Sequence, residues 1–154
     1  MKKIQLKKVT KIRILLFILI VIWAILVFVF SSQDGEESTG LSKMVANFLF
    51  RNEIKADIAE PYIRKVAHFS EYGLGGILFM CLFLTYEWSE IKQILISILF
   101  GVWYASFDEI HQVMVPDRNG SIIDVGIDLL GFCTGVIGMM LLYKIIKKIK
   151  YKKK

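Results

Sequence analysis

Seventeen consecutive residues, Ile14 to Phe30, carry no ionisable side chain. At about 1.5 Å of rise per residue, a helix of that length comes close to spanning the hydrocarbon core of a bilayer. Three more apolar stretches follow, Val66 to Tyr86, Ile91 to Val115 and Ile122 to Tyr143. The pattern restricts the fold sharply, because backbone polar groups in lipid must be satisfied within the spanning segment. The predicted fold class is an all-α integral membrane protein, a four-helix transmembrane bundle forming a single domain over residues 1–154. The spans fall at about 14–30, 66–86, 91–112 and 122–143. Composition agrees: 55% of residues are hydrophobic and the mean hydropathy is +0.54, above the roughly 45–50% apolar content of an ordinary soluble domain.

Two alternatives bear on this layout. The first stretch resembles a signal peptide in its basic front, with Val29 and Ser31 at a weak cleavage position. Its apolar length exceeds the roughly 7–15 residues of such peptides, so it reads as an anchor. The third span is interrupted near Pro116 and by "DEIHQ", which leaves open a segment that dips and returns.

The net charge of +6 is concentrated at the two ends. Lys2, Lys3, Lys7, Lys8, Lys11 and Arg13 precede the first span, and seven lysines from Lys144 to Lys154 follow the last. Basic residues flanking spans stay on the cytoplasmic side, and four spans put both termini on one side. The expected location is therefore the cell membrane, multi-pass, with basic tails 1–13 and 144–154 in the cytoplasm. The tails also suit anionic lipid head groups, and nothing in the charge pattern calls for nucleic acid.

Between the first two spans, "SSQDGEESTG" reads as a loop, and "LSKMVANFLF" places Leu41, Val45, Phe48 and Leu49 on one helical face. A short amphipathic helix is expected there, on the outer surface or capping the bundle. Pro61 suits the first turn of the second spanning helix. Gly73, Gly75 and Gly76, and Gly131, Gly135 and Gly138, are small residues of the kind that permit close helix contact. Ser121 fits an N-cap with Asp124 in the first turn. Cys81 and Cys133 show neither metal-ligand nor disulfide spacing and read as small buried hydrophobes.

The ionisable residues inside the spans crowd toward one end. Each costs about 2.5–3.5 kcal/mol at a helix centre, so such residues face the bundle interior, find partners and often mark function. Arg64, His68 and Tyr72 stand at i, i+4 and i+8, with Glu71 beside them. Asp108, His111 and Gln112 share a face in "DEIHQ", while Glu109 points elsewhere, and Asp124 and Asp128 are i, i+4 neighbours. Counting along the helices predicts two layers: His68, His111 and Asp124 outside, and Glu71, Asp108 and Asp128 within.

"FSSQ", "AHFSEYGLGG" and "DEIHQVMVPDRNGSIIDVGIDLLG" together resemble the VanZ-like family of small bacterial membrane proteins, from about Phe30 to Gly135. The resemblance implies a membrane protein of four to five helices, some members of which lower susceptibility to the glycopeptide antibiotic teicoplanin. It carries the family's motif onto His68, Glu71, Tyr72, Glu109, Gln112, Pro116, Arg118, Ser121, Asp124 and Asp128. The turn departs from the commoner Pro-Gly-Arg by having Asp117.

These residues support three classes of function. In the first, an outward-facing site acts on an envelope lipid or lipid-linked cell-wall precursor, with His68, Glu71, Asp108, Glu109, His111, Asp124 and Asp128 as the acid–base set. Arg64, Tyr72, Gln112, Arg118 and Ser121 are the substrate-binding candidates. A divalent metal is the lesser variant of this reading: Asp108 with His111, and His68 with Glu71, have ligand spacing, but Arg64 opposes a cation. In the second, the pocket only binds a lipid head group through Arg64 and Arg118, or the polar groups merely set helix register. Proton-coupled transport is the third, disfavoured because no matching polar path continues through the inner half. Tyr72, Tyr104 and Trp103 read as packing or interface residues.

Overall fold

A computed structural model of the protein describes residues 2–33, 35–116, 118 and 120–152. Among them are five helices: α1 (Lys2–Ser31), α2 (Gly35–Phe50), α3 (Glu53–Phe83), α4 (Glu90–Gln112) and α5 (Ile122–Lys152). No strand occurs among the described residues. All except α2 are long and apolar enough to cross a membrane. The unbroken 23-residue α4 is long enough, at about 1.5 Å per residue, to cross a membrane.

Several boundaries differ from those read in the sequence. The basic residues from Lys7 to Arg13 and from Lys144 to Lys152 lie within α1 and α5, so these helices run on past residues 14 and 143. Lysine is a good helix former, and a helix has no reason to end where the lipid does. The second spanning helix ends at Phe83, and Leu84 to Tyr86 turn toward α4. It starts not at Pro61 but at Glu53, where the Asn52 side chain accepts a hydrogen bond from the Lys55 N–H at 3.1 Å. Pro61 therefore lies well inside α3. The early start is held by packing: Ala56, a full turn and more before the proline, is completely buried.

The surface and interior are inverted relative to a soluble protein. Phe17, Leu74, Leu99 and Leu141 are each more than half exposed, whereas Asp108, Glu109 and Asp128 are buried. Such a distribution is stable only where the surroundings are apolar. Buried aromatic groups knit the centre: Trp23 of α1 packs edge-on to Tyr72 and Phe79 of α3 and against Tyr104 and Phe132. Its indole N–H donates to the Glu71 carbonyl at 2.8 Å, and the Tyr104 hydroxyl donates to the Ala24 carbonyl at 2.6 Å. At the other end of α1, Arg13 donates to the Thr85 hydroxyl and carbonyl and stacks over Tyr86.

Helix α3 packs most extensively on α5, and the approach is backbone to backbone. A methyl group added at Gly131 would collide with the Phe69 carbonyl, one at Gly135 with the Gly73 carbonyl, and one at Gly76 with the Phe132 carbonyl. Gly75 instead makes room for the Trp23 indole. Gly138, expected to serve the same purpose, has nothing within 4 Å of such a methyl group and takes no part in the crossing.

Helix α2 lies against α3 at the end of the bundle where α4 finishes and α5 begins. It is anchored by its small and polar side: Ala46 and Ser42 are buried, and the Ser42 hydroxyl donates to the Glu60 carboxylate. Lys43 pairs with Asp57 at 2.7 Å, and that hydrogen bond raises the lysine above its ordinary value of 10.5. The predicted apolar face, Leu41, Val45, Phe48 and Leu49, is exposed.

Candidate functional site

The α3–α5 crossing sets the geometry of the site. Because Gly131 lets the helices touch at Phe69, His68, the residue before Phe69, faces Asp128, about one turn before Gly131: His68 Nδ1 lies 3.5 Å from Asp128 Oδ1. Asp108 of α4 completes the group, with ligand atoms of His68, Asp108 and Asp128 all within 4.8 Å of one another. The Gln112 amide, one turn along α4, donates to Asp108 Oδ2 at 3.0 Å and fixes that carboxylate. Three helices each contribute one member, so this site exists only in the assembled bundle.

Above the cluster a polar chamber of about 420 Å³ is lined by Glu60, Arg64, Lys65, His68, Arg118 and Asp124, among others. Arg64 donates to the Thr39 hydroxyl of α2 at 2.7 Å and lies 3.5 Å from Glu60, one turn earlier on its own helix. Its Nε is buried without a partner among the described residues. Arg118, in the turn before α5, donates to the Ser31 and Gln33 carbonyls, each at 3.3 Å. Burial pushes the Arg118 guanidinium down, and the like charge of Arg64 pushes the same way. Arginine's ordinary value is so high that Arg118 stays charged. Lys65 reaches Asp124 at 3.7 Å on the chamber wall.

The chamber opens into apolar space. A second cavity, about 250 Å³, shares Arg64, His68 and Arg118 with it and is otherwise lined by groups such as Val27, Phe30 and Leu41. A third, about 750 Å³, shares Val45, Ile63 and Ala67 with the second in its lining, lies between α2 and α3 and is almost wholly apolar, with Leu49, Tyr62 and Val66 on its walls. Part of the exposed face of α2 therefore borders an apolar groove that adjoins the cavity beside the two guanidinium groups.

The two predicted layers are not what the helices assemble. His68, expected in the outer layer, meets Asp108 and Asp128 of the inner one, because the backbone contact of α3 and α5 shifts their relative height. His111 is drawn away from the group and packs on Phe28 of α1, ring centroids 4.4 Å apart. Glu109, on another face of α4, is nonetheless buried: one oxygen accepts the Ser121 backbone N–H at the start of α5, and the other has no partner among the described residues. Ser121 caps α5, its hydroxyl accepting from the Ile123 N–H at 3.2 Å, with Asp124 in the first turn. The Glu71 side chain lines the second cavity, and Tyr72 is fully buried against Trp23. Asp117, where the motif departs from Pro-Gly-Arg, lies outside the described residues.

Sequence reasoning passed over Glu60, Lys65, Thr39 and Ser42. Glu60 had a readable signal, since it stands four residues before Arg64 on one helix. Thr39 and Ser42 had none, because only the docking of α2 brings them to α3.

This fold and site define a helical membrane protein of four spans with a polar chamber sunk into one end of its bundle. The chain belongs to the VanZ/LLP1 family, whose sequence pattern matches residues 16–146. No curated protein and no solved structure matches it.

Proposed function

We propose that the chamber receives the anionic head group of an amphipathic lipid or lipid-linked cell-wall precursor, with the lipid chain in the groove under α2. The observation that carries this reading is a chamber flanked by Arg64 and Arg118 that shares these residues with a neighbouring cavity, which in turn shares its apolar wall with the groove beside α2. Guanidinium groups bind phosphate or carboxylate through paired N–H donors, and the groove gives the chain a path from the bilayer. The basic residues at the free ends of α1 and α5 favour those ends in the cytoplasm and the chamber on the opposite face. With that orientation the site meets envelope lipids, and a lowered susceptibility to teicoplanin is the phenotype that the VanZ-like resemblance adds.

The test is binding of short-chain phosphatidic acid, with the matching diacylglycerol as control, to the protein in detergent micelles. Buried charge-assisted hydrogen bonds contribute about 1.5–3 kcal/mol each, so Arg64→Gln or Arg118→Gln is expected to weaken phosphatidic acid binding about tenfold to a hundredfold. Unchanged binding in the double variant refutes the reading. Orientation is checked in a background lacking Cys81 and Cys133, where Ser32→Cys is expected to label from outside intact cells and Lys148→Cys is not.

Catalysis on the bound head group is a second reading, favoured by His68 and Asp128 at the chamber floor. It predicts that His68→Ala abolishes a teicoplanin phenotype while phosphatidic acid still binds. Transport is disfavoured by what lies beneath the site, where Trp23, Phe79, Phe132, Val136 and Met140 close the interior with apolar packing.

A further inference from the structure

Asp128 is completely buried in the middle of a helical crossing; His68 Nδ1 lies 3.5 Å from its Oδ1, and neither carboxylate oxygen makes a well-formed hydrogen bond among the described residues. Nor do His68 Nδ1 and the Tyr72 hydroxyl, which are buried in the same way. Buried polar atoms without hydrogen bonds are rare and expensive, and a buried carboxylate held only by one long contact to a histidine is costly. Its side chain points toward His68 and toward a second buried carboxylate, Asp108. Two carboxylates that close repel each other unless a positive charge lies between them.

Histidine's single charge, where it is protonated, answers only one of the two carboxylates. Neither Arg64 nor Arg118 contacts these carboxylates: their direct partners among the described residues are Thr39 and Glu60, and the Ser31 and Gln33 carbonyls. We infer that His68, Asp108 and Asp128 form a binding site for one divalent transition-metal cation, of the Mn2+ or Zn2+ type. Two atoms bonded to one ion at about 2.0–2.2 Å stand no more than about 4.4 Å apart, so ligand atoms already within 4.8 Å close on an ion by small side-chain rotations. One imidazole nitrogen and two carboxylate oxygens suit these cations and balance their charge. The Gln112 amide on Asp108 Oδ2 is the kind of outer contact that orients a ligating carboxylate. Three protein ligands leave coordination positions open toward the chamber, where an oxyanion held by Arg64 and Arg118 would also meet the metal. The inference stands on the cluster alone and does not need the lipid reading.

The experiment is metal analysis of the full chain in detergent, stripped with chelator, reloaded with Mn2+ or Zn2+ alone and desalted. Wild type is expected to retain about one equivalent of one of these cations per chain and to unfold at higher temperature when loaded. Asp128→Asn and Asp108→Asn should each lose at least nine-tenths of that metal and the thermal shift. Arg64→Gln/Arg118→Gln should keep both, so a failure of lipid binding is distinguishable from a failure of the metal site. Tyr72→Phe, which removes no ligand, should keep the metal and guards against reading general misfolding as ligand loss. Wild type holding less than a tenth of an equivalent of either cation, or a folded Asp108→Asn/Asp128→Asn variant holding as much as wild type, overturns the inference.

Discussion

Gly131→Ala tests the claim that a backbone contact between α3 and α5 builds the site. The added methyl group would lie well inside contact distance of the Phe69 carbonyl, which is part of a helix and cannot rotate away. Restoring an ordinary contact of about 3.5 Å requires the helices to part by about 1 Å, and overpacking of that kind costs typically about 1–3 kcal/mol. The same separation carries His68 and Asp128 from 3.5 Å apart beyond the range of a direct ion pair. Gly138→Ala is the internal control, on the same helix with nothing within 4 Å. Because alanine favours a helix over glycine by about 1 kcal/mol, Gly138→Ala is expected to be neutral or stabilising. That gain is common to both substitutions, so the two variants should differ by the overpacking cost, about 1–3 kcal/mol, in unfolding by SDS from mixed micelles. Gly131→Ala should also weaken phosphatidic acid binding, whereas Gly138→Ala should not. Equal stability of the two variants refutes the argument, since it would mean that the crossing tolerates a side chain at Gly131.

Three further outcomes are expected. Trp23→Phe removes the donor to the Glu71 carbonyl and should destabilise the bundle by about 1–3 kcal/mol, measured in the same unfolding assay. Glu60→Ala removes the acceptor of the Ser42 hydroxyl and the neighbour of Arg64, so amide exchange over α2 should quicken while the crossing of α3 and α5 stays protected. Lys43 titrates above its ordinary 10.5 because Asp57 holds its charged form. A raised folded value means that its contribution to docking α2 is complete below the unfolded value and is lost as pH rises through the folded one. Exchange in α2 should therefore be insensitive to Lys43→Met at pH 7, where exposed pairs count for little, and any contribution of the pair should vanish only in the alkaline range.

Hydropathy alone determined that the chain spans a membrane four times, because twenty-odd apolar residues in a row have few other stable solutions. The concentration of expensive groups near one end was equally legible, since ionisable residues inside apolar runs stand out in any reading. Helical spacing also put Arg64 and His68 on one face, and both line the chamber. Spacing along one helix could not say which partner each group meets on another. The height of α3 against α5 is set by carbonyls resting on Gly131 and Gly135, and that height pairs His68 with Asp128 rather than with Asp124. The docking of α2 is likewise a tertiary event: its polar side binds α3, and part of its apolar side is left to border a groove. Periodicity is a property of one helix, whereas a site shared by three depends on their relative height and rotation, which backbone contact decides.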